Sequence, residues 1–370
     1  MWKYEQPVKI IYGKESIDKI YDLIEEQEYK NGLIITSRFF IKSGIAEIIK
    51  NNSKGNIIDI FSEVSPNPSI ANVDKCAQVI RDKKVEFIVA LGGGSVIDCA
   101  KAASVLVSTN NSIRDYYGTN IQLPEIAIPI IAVPTTSGTG SEVTNVSVIT
   151  DEKLGIKKPL VSKKFFPKYA IVDPELTYTL PSKIVASSGI DVLCHAIEGY
   201  WSKGHQPITD ALAVYAAKLV FNNLLSAYKN PDDKLARDKL SEASTIAGLA
   251  FALPKTTACH ACSFLLTSKY DIPHGEACGL TLDFFARING RNCERVRELA
   301  ILLGFNNIDE MADAIHELKS KLGLRNDLKD LNLSDEQVEE LVKISKHPNL
   351  YNNPVDITDE ILKELYESMS

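Results

Sequence analysis

Two histidines stand out in residues 255–275, which read KTTACHACSFLLTSKYDIPHG. His260 and His274 lie in a mostly apolar stretch, and Cys259 and Cys262 flank the first of them. Three arrangements fit these residue types: two hydrogen-bonded core histidines, a Cys₂His₂ zinc site, or two ligands of a catalytic metal. A Cys₄ site is excluded, because the sequence has no second Cys-x-x-Cys pair.

A second candidate pair lies in SSGIDVLCHAIEGYWS, residues 187–202, which has the apolar pattern of a helix. Asp191 and His195 are four residues apart, so both side chains lie on one helix face. For such a pair alone, an Asp–His hydrogen bond is the commoner explanation. Together with His260 and His274, the pair would give one carboxylate and three imidazoles, which suit Fe²⁺, Zn²⁺ or Mn²⁺.

A glycine-rich loop lies within VEFIVALGGGSVIDCAKAAS, residues 85–104. The pattern predicts a buried strand, three glycines and a helix that begins about Ser95. Glycine lets the backbone approach a ligand closely, Ser95 could cap the helix, and the N–H groups at a helix start favour an anion. The loop therefore suggests a phosphate or pyrophosphate site, although an ordinary glycine-rich turn explains it equally well. Ile97 replaces the third glycine of the dinucleotide fingerprint, and no P-loop lysine follows.

A second loop, VPTTSGTGSEVT at residues 133–144, follows another predicted strand. Its many hydroxyl groups and two glycines could line a ribose or a phosphate. Both loops come after strands of a predicted parallel sheet, and open α/β sheets bind ligands at the carboxyl ends of their strands. Together, the two loops favour a nucleotide site.

The elements that must position these residues fall into two halves. Short apolar strand patterns alternate with helical patterns through residues 1–175, which predicts an α/β dinucleotide-binding domain with a parallel sheet. A hairpin around DEKLG precedes the last strand of this half. From residue 176 to residue 370 the pattern is helical, which predicts an all-α domain that carries the histidines.

Composition excludes several kinds of protein. The 370 residues are 45% hydrophobic and 24% charged, as in a globular protein, and the net charge of −7 argues against nucleic-acid or anionic-membrane partners. No apolar run reaches the length that a membrane span needs. Seven cysteines are sparse and lie mostly in apolar segments, as expected of free thiols in the reducing cytoplasm.

The four motifs LGGGSVIDCAK, PTTSGTGSEVT, GIDVLCHAIEGYWS and DIPHG together resemble the iron-containing (group III) alcohol dehydrogenases. The match runs in order over nearly the whole chain. The resemblance implies a Rossmann-like N-terminal domain with an all-α C-terminal domain, which is the dehydroquinate synthase-like fold. It also implies an oxidoreductase whose metal, Fe(II) or alternatively Zn(II), is held by Asp191, His195, His260 and His274.

Residues that contact the cofactor can be carried over from the same resemblance. They are Gly93, Gly94, Ser95, Asp98, Lys101, Thr135, Thr136, Thr144 and Lys157. In NAD-preferring relatives the second strand ends in an aspartate that binds the ribose, whereas here LIITSRFF has Ser37 followed by Arg38. Because an arginine can bind a 2′-phosphate and no carboxylate repels it, we expect NADP(H) to be favoured over NAD(H).

Departures from the family pattern bear on the substrate. Many relatives have a further histidine at the position of Phe264, so no general acid is assigned there, and Phe264 is a candidate substrate contact together with Lys255, Thr256 and Thr257. Lys255, Thr256 and Thr257 place a cation and two hydroxyls just before His260, which suits an anionic substrate group. A surface lysine at a helix start is the alternative explanation. The segment TTACHACSF resembles the branch that reduces phosphonoacetaldehyde to 2-hydroxyethylphosphonate.

The sequence therefore predicts a cytoplasmic, homodimeric, metal-dependent and NAD(P)H-linked reductase of a small aldehyde, with phosphonoacetaldehyde as the first candidate substrate. A general short-chain alcohol dehydrogenase of the same family is the alternative. Two alternatives belong to other functional classes, namely a dehydroquinate synthase-like lyase and a non-catalytic nucleotide-binding protein. The complete Asp/His set argues against both.

Overall fold

The computed structural model describes residues 1–119 and 121–370. Its strands all lie in the first half of the chain, where the alternating pattern predicts them. They are β1 (Lys9–Tyr12), β2 (Gly32–Ile35), β3 (Ile57–Phe61), β4 (Phe87–Gly92), β5 (Ile130–Pro134), β6 (Val146–Asp151), β7 (Ile156–Val161) and β8 (Tyr169–Val172).

Six of these strands form one parallel sheet in the order β1-β8-β5-β4-β2-β3, and β6 and β7 form the separate antiparallel hairpin. The chain passes from β3, on one side of β2, to β4 on the other. Ligands bind in open α/β sheets beside such a reversal, at the carboxyl ends of the strands. The loops after β2 and β4 therefore lie at the expected place for a nucleotide.

Both faces of the four central strands, β2, β4, β5 and β8, are buried, which explains their continuous apolar sequences. Phe87 and Val89 of β4 belong to the apolar cluster on one face, whereas Ile88 and Ala90 belong to the cluster on the other. The helices of this half are α1 (Lys19–Glu26), α2 (Arg38–Lys42), α3 (Ile45–Asn52), α4 (Ile70–Asp82) and α5 (Gly94–Ser104).

The second half is helical, as predicted. Its helices are α6 (Ser182–Trp201), α7 (Pro207–Lys229), α8 (Lys234–Phe251), α9 (Ala258–Lys269), α10 (His274–Leu280), α11 (Leu282–Asn292), α12 (Glu294–Leu303), α13 (Ile308–Lys321), α14 (Asp335–Ile344) and α15 (Asp359–Met369). Helix α6 is the central one, since it packs against α7, α8, α9 and α10. Every residue from Gly189 to Trp201 is buried, so any polar group on this segment needs a partner.

Helix α7 has the length and hydropathy of a membrane-spanning helix, with a mean hydropathy of 1.2. It packs against α6 and α8, and a core helix passes the same test of length and composition. This helix is therefore weak evidence for a membrane span.

The chain divides into two compact units. One comprises Glu5–Thr136 and Gly140–Thr177, and the other comprises Met1–Tyr4, Ser137–Thr139 and Tyr178–Ser370. The boundary predicted near residue 176 lies beside the observed boundary between Thr177 and Tyr178. The predicted division at 1–175 and 176–370 assigns Met1–Tyr4 and Ser137–Thr139 to the first half, whereas these two segments pack with the helices. The observed architecture confirms the predicted fold class of a parallel-sheet half and a helical half.

Candidate active site

Helix α6 carries two of the candidate metal ligands inside its buried segment. Asp191 is 3% exposed and His195 is 5% exposed. Burial of a carboxylate is costly unless hydrogen bonds or opposite charges compensate for the lost water. Two polar side chains placed one turn apart on a core helix therefore indicate a site, because a purely structural helix would carry apolar residues here.

Helices α9 and α10 bring the other two histidines to the same place. The Nε2 atom of His260 lies 3.0 Å from Nε2 of His195 and 3.6 Å from a carboxylate oxygen of Asp191. The ring of His274 lies edge-on to that of His260, with 5.5 Å between centroids. Potential ligand atoms of Asp191, His260, His274 and Cys278 lie within 4.8 Å of one another.

Gly275 makes this convergence possible. A Cβ atom at this position would lie 1.9 Å from the carbonyl oxygen of Ser187 and 2.8 Å from Cβ of Asp191. Only glycine therefore lets the start of α10 approach α6 closely enough to place His274 beside Asp191. The Pro-His-Gly sequence is explained by this packing contact.

Hydrogen bonds on the far side of two rings determine where their protons lie. Nδ1 of His195 lies 3.3 Å from the carbonyl oxygen of Gly138, and Nδ1 of His260 is hydrogen-bonded to a carboxylate oxygen of Glu198. Both partners are acceptors, so each Nδ1 carries the proton and each Nε2 presents a lone pair. Burial and the neighbouring His260 hold the pKa of His195 well below its ordinary value, which keeps that ring neutral.

The resulting cluster consists of acceptors that face one another. Two imidazole lone pairs and the Asp191 carboxylate meet in a buried space, and that arrangement is unfavourable unless a cation lies among them. The donor set fits a divalent transition metal, because imidazole and carboxylate both bind such ions. Phe251 stacks on the His195 ring at 4.1 Å and shields it from water.

Three cysteines near the cluster are less suited to binding a metal than the histidines are. Burial raises the pKa of the Cys278 thiol well above its ordinary value, which favours the neutral form over the thiolate that binds metals. Cys259 and Cys262 do not belong to any group of potential ligands among the described residues. Burial raises the pKa of Cys262 to about 11, and its hydrogen-bonding neighbours are Tyr366 and Ser345. The Cys₂His₂ alternative therefore has no support.

The two loops of the α/β unit lie against each other. A Cβ atom at Gly93 would lie 3.0 Å from Oγ1 of Thr136, and the amide of Thr135 donates to the carbonyl oxygen of Gly92. Gly93 has extended backbone and is the N-cap of α5, which begins at Gly94. The exposed N–H groups of this helix start suit a phosphate, as the sequence suggested.

Lys101 and Asp98 hold the second loop in place. The Lys101 ammonium is fully buried and donates to Ser141, to Thr144 Oγ1 and to the carbonyl oxygen of Val146. Asp98 accepts hydrogen bonds from the Ser141 hydroxyl and the Val148 amide. These two side chains fix the position of the second loop through their hydrogen bonds. Their contact with a cofactor stays a prediction.

Ser95 does not cap the helix, so this part of the sequence interpretation is corrected. The helix starts one residue earlier, and the Ser95 hydroxyl instead accepts from the backbone amide of Asn67. The side chain of Asn67 accepts from the ammonium of Lys157. Asn67 thus connects Ser95, next to the glycine loop, to the lysine of the hairpin, a role that the sequence alone did not indicate.

Ser37 and Arg38 occupy the predicted place after β2. Ser37 is the N-cap of α2, and Arg38 is an exposed cation on the first turn of that helix. Its charge contributes to lowering the pKa of Glu63, although Lys75 has the larger effect. Residue 37 is a serine and not an aspartate, so no carboxylate at this position would repel a 2′-phosphate. This absence is the basis of the expected NADP(H) preference.

Lys255 and Thr256 lie in the turn between α8 and α9. Lys255 is half-buried, has a left-handed backbone (φ 69°), and donates from its ammonium to the carbonyl oxygen of Ala252. Burial lowers its pKa to about 8. Its amide donates to the carbonyl oxygen of Phe251, the residue that stacks on His195. The predicted anion-binding lysine therefore belongs to the turn that borders the ligand cluster.

Thr257 and Phe264, two predicted substrate contacts, differ in burial. Thr257 is fully buried, donates its hydroxyl proton to Glu198 and accepts from Trp201 Nε1. The expectation of a substrate contact at Thr257 is therefore corrected, since its hydroxyl belongs to the network around His260. Phe264 is half-buried and packs against the ring of His347, with 4.5 Å between centroids.

Comparison with known proteins shows the family of the chain. The family model described as iron-containing alcohol dehydrogenase matches residues 7–174, and the C-terminal model of the Fe-containing alcohol dehydrogenase family matches residues 185–370. The chain belongs to the iron-containing alcohol dehydrogenase family. Among solved structures, a sulfoacetaldehyde reductase from Bifidobacterium kashiwanohense in complex with NAD+ is 55% identical, with a TM-score of 0.97, and the match covers 100% of this chain and 98% of that one.

Two curated relatives show the range of this iron-containing alcohol dehydrogenase family. A sulfoacetaldehyde reductase of Bilophila wadsworthia is 35% identical over 76% of this chain and 73% of that protein. Alcohol dehydrogenase 4 of Saccharomyces cerevisiae (strain YJM789) is 32% identical over 98% of each chain. The chain is therefore an oxidoreductase of the alcohol and aldehyde dehydrogenase class, which confirms the expected enzyme class.

Glu198 is a residue of this site that the sequence did not lead us to predict. The residue is fully buried and lies three positions after His195 on α6. The positions of Asp191, His195 and Glu198 follow one helix face, with steps of four and three residues. That spacing was a signal in the sequence, but a glutamate on a helix is usually a surface residue.

Proposed function

We propose that this enzyme reduces sulfoacetaldehyde to 2-hydroxyethanesulfonate, with a reduced nicotinamide cofactor supplying a hydride to the carbonyl carbon and the medium supplying a proton to the oxygen. The observation that carries this proposal is its 55% identity, over the full chain, to a protein that acts on this aldehyde. A second sulfoacetaldehyde reductase among the relatives supports the same substrate class. In this proposal the alcohol is the product and the oxidised cofactor leaves with it.

Lys255 provides the charge that such a substrate requires. A sulfonate is a tetrahedral group with one negative charge, and one half-buried ammonium can neutralise it. The lysine is placed by the same turn as Phe251, which stacks on His195. A single methylene group separates the sulfonate from the reacting carbonyl in sulfoacetaldehyde, so an anion site beside the ligand cluster suits this short molecule.

Phosphonoacetaldehyde, the first candidate from the sequence, is the second candidate here. Its phosphonate approaches two negative charges near neutral pH, as phosphate monoesters do, with a second pKa of about 6. Lys255 supplies one positive charge, and burial already disfavours that charge. We therefore rank the singly charged sulfonate above the phosphonate.

The proposed metal ligands are Asp191, His195, His260 and His274. A divalent metal such as Fe(II) held by them would act as a Lewis acid that polarises the substrate carbonyl. Asp191 contributes one negative charge, and the neutral rings of His195 and His260 contribute lone pairs held in direction by Gly138 and Glu198. Phe251 and the surrounding core keep water away from the rings.

Two observations bear on the choice of cofactor. The structure of the B. kashiwanohense enzyme contains NAD+, whereas Ser37 and Arg38 lack the carboxylate that repels a 2′-phosphate. We propose NAD(H) as the working cofactor and NADP(H) as an accepted alternative, which replaces the expected NADP(H) preference. A homodimer in the cytoplasm stays our proposal for assembly and location.

An activity screen tests the function. Fe(II)-loaded enzyme is mixed with NADH and one of four aldehydes, namely sulfoacetaldehyde, phosphonoacetaldehyde, propanal or butanal, and NADH absorbance is followed. We expect kcat/KM for sulfoacetaldehyde to exceed that for propanal by about 10- to 100-fold, because a hydrogen bond to a charged group contributes about 1.5–3 kcal/mol. Equal values for charged and neutral aldehydes would show a general alcohol dehydrogenase.

The same assay separates the other classes. A dehydroquinate synthase-like lyase would consume no net NADH while converting its substrate. A non-catalytic nucleotide-binding protein would bind NADH and leave all four aldehydes unchanged. Chromatographic detection of 2-hydroxyethanesulfonate in amounts equal to the NADH consumed would support the proposal.

A further inference from the structure

Glu198 is surrounded by hydrogen-bond donors although it is fully buried. One carboxylate oxygen, Oε1, accepts from the Thr257 amide at 3.1 Å, the Thr257 hydroxyl at 2.7 Å and the Cys259 amide at 2.8 Å. The other, Oε2, is hydrogen-bonded to Nδ1 of His260. Backbone amides can only donate, so Oε1 acts as an acceptor in each of these contacts.

The Thr257 hydroxyl also donates its proton to Glu198. Trp201 Nε1 can only donate, and it donates to Thr257 Oγ1 at 2.8 Å. The hydroxyl proton of Thr257 is therefore directed to Glu198. The chain of hydrogen bonds runs from Trp201 through Thr257 to Glu198, and each of these groups donates toward the carboxylate, whose oxygens act as acceptors.

Glu198 also replaces the missing cap of α9. The N-cap residue Thr257 makes no side-chain hydrogen bond to its own helix, since its hydroxyl is turned to Glu198. The amides of Thr257 and Cys259 find their acceptor on α6 instead. One carboxylate therefore fixes both the start of the helix that carries His260 and the ring of His260 itself.

We propose that Glu198 is a positioning residue that holds His260 in the tautomer with the proton on Nδ1. In that tautomer Nε2 has a free lone pair and faces His195 at 3.0 Å and Asp191 at 3.6 Å. Histidine ligands of metals are commonly fixed in this way by a carboxylate on the other nitrogen, and loss of such a partner lowers metal affinity by about 10- to 100-fold. The inference rests on the proposed role of His260 as a metal ligand.

The substitution Glu198→Gln tests the tautomer without a change of size. The amide oxygen of glutamine can still accept from the backbone of α9, while its NH₂ group must donate to Nδ1 of His260. The proton of the ring then moves to Nε2 and occupies the ligand position. We expect metal affinity, measured by chelator competition and elemental analysis, to fall about 10- to 100-fold, while thermal unfolding of the metal-free protein changes little.

Nitrogen NMR of metal-free protein with labelled histidines reads the tautomer directly. We expect the His260 signal to change from the Nδ1–H to the Nε2–H pattern in Glu198→Gln, with assignment from His260→Ala. The charge-matched control is Glu242→Gln, because Glu242 lies on α8 away from the cluster, pairs with Lys239 of the same helix and accepts from the Tyr215 hydroxyl of α7. That variant should keep the wild-type tautomer and metal affinity.

The outcomes separate this inference from the proposed function. An unchanged tautomer in Glu198→Gln would overturn the inference, and so would a changed tautomer with undiminished metal affinity. Full metal content in His260→Ala would instead show that His260 is no ligand and would remove the proposed metal site. A changed tautomer together with weakened metal binding supports the inference.

Discussion

The ligand cluster and the turn at Lys255–Thr256 lie close together in the helical unit, but they are held by different means. Cluster side chains come from the helices α6, α9 and α10, and the His260 ring among them is oriented by the buried carboxylate of Glu198. The turn is held by two amide side chains from the 3₁₀ segment Pro348–Asn352. Asn349 donates to the Thr256 hydroxyl at 2.8 Å, and Asn352 donates to backbone carbonyl oxygens.

This difference separates chemistry from specificity. A change in the cluster disturbs the core of the unit, because α6 is buried and Gly275 leaves no space beside Asp191. A change at Lys255 alters one half-buried side chain of a loop and leaves those helices in place. We therefore expect the metal chemistry and the substrate preference to depend on different residues, and the predictions below test this separation.

The largest effect is expected from the cluster. Asp191→Ala and His274→Ala should each remove most of the bound metal, since each deletes one ligand from a set of four. Activity with every aldehyde should fall by about a thousandfold or more, because Lewis-acid stabilisation is worth several kcal/mol. Elemental analysis of the purified proteins and kcat with sulfoacetaldehyde and propanal provide the measurement.

Cys278→Ser is the matched control for this prediction, because its sulfur lies among the ligand atoms but is favoured as a neutral thiol. It should retain metal and activity. If Cys278→Ser loses metal while His274→Ala keeps it, the ligand set is Cys-containing and the assignment from sequence is wrong.

Part of the cluster could be predicted from local sequence, since four-residue spacing places Asp191 beside His195. The family resemblance was needed to join this pair to His260 and His274, and the close approach that requires Gly275 depends on tertiary packing. Glu198 was missed since its significance depends on Thr257 and Cys259, which are about 60 residues away. The fold class was predicted from strand and helix periods, whereas the packing of Ser137–Thr139 with the helical unit depends on tertiary contacts that no local pattern records.

The next largest effect is expected in the turn. Lys255→Ala should raise KM for sulfoacetaldehyde by about 10- to 100-fold, because it removes a hydrogen bond to a charged group worth about 1.5–3 kcal/mol. Alanine also has a Cβ atom, so the left-handed backbone of residue 255 costs about as much as before. KM for propanal, the metal content and thermal unfolding should stay near wild-type values.

Lys255→Arg retains the positive charge and serves as the control, with KM for sulfoacetaldehyde within a few-fold of wild type. A parallel rise of KM for propanal in Lys255→Ala would contradict the separation, since it would show that the turn supports the whole site. Unchanged KM for both aldehydes would remove Lys255 from the anion site.

The smallest and most specific effect is a dependence on pH. Burial lowers the pKa of Lys255 to about 8, so the side chain is charged below this pH and becomes neutral above it. An anionic aldehyde binds the charged form, and its KM should therefore rise above pH 8, by at most about tenfold per pH unit for a single titrating group. KM for propanal should not follow this curve, and in Lys255→Arg the rise should disappear, because arginine stays protonated throughout this range. A rise that persists in Lys255→Arg would assign the titration to the ligand cluster rather than to the turn, and the two regions would then be electrostatically coupled.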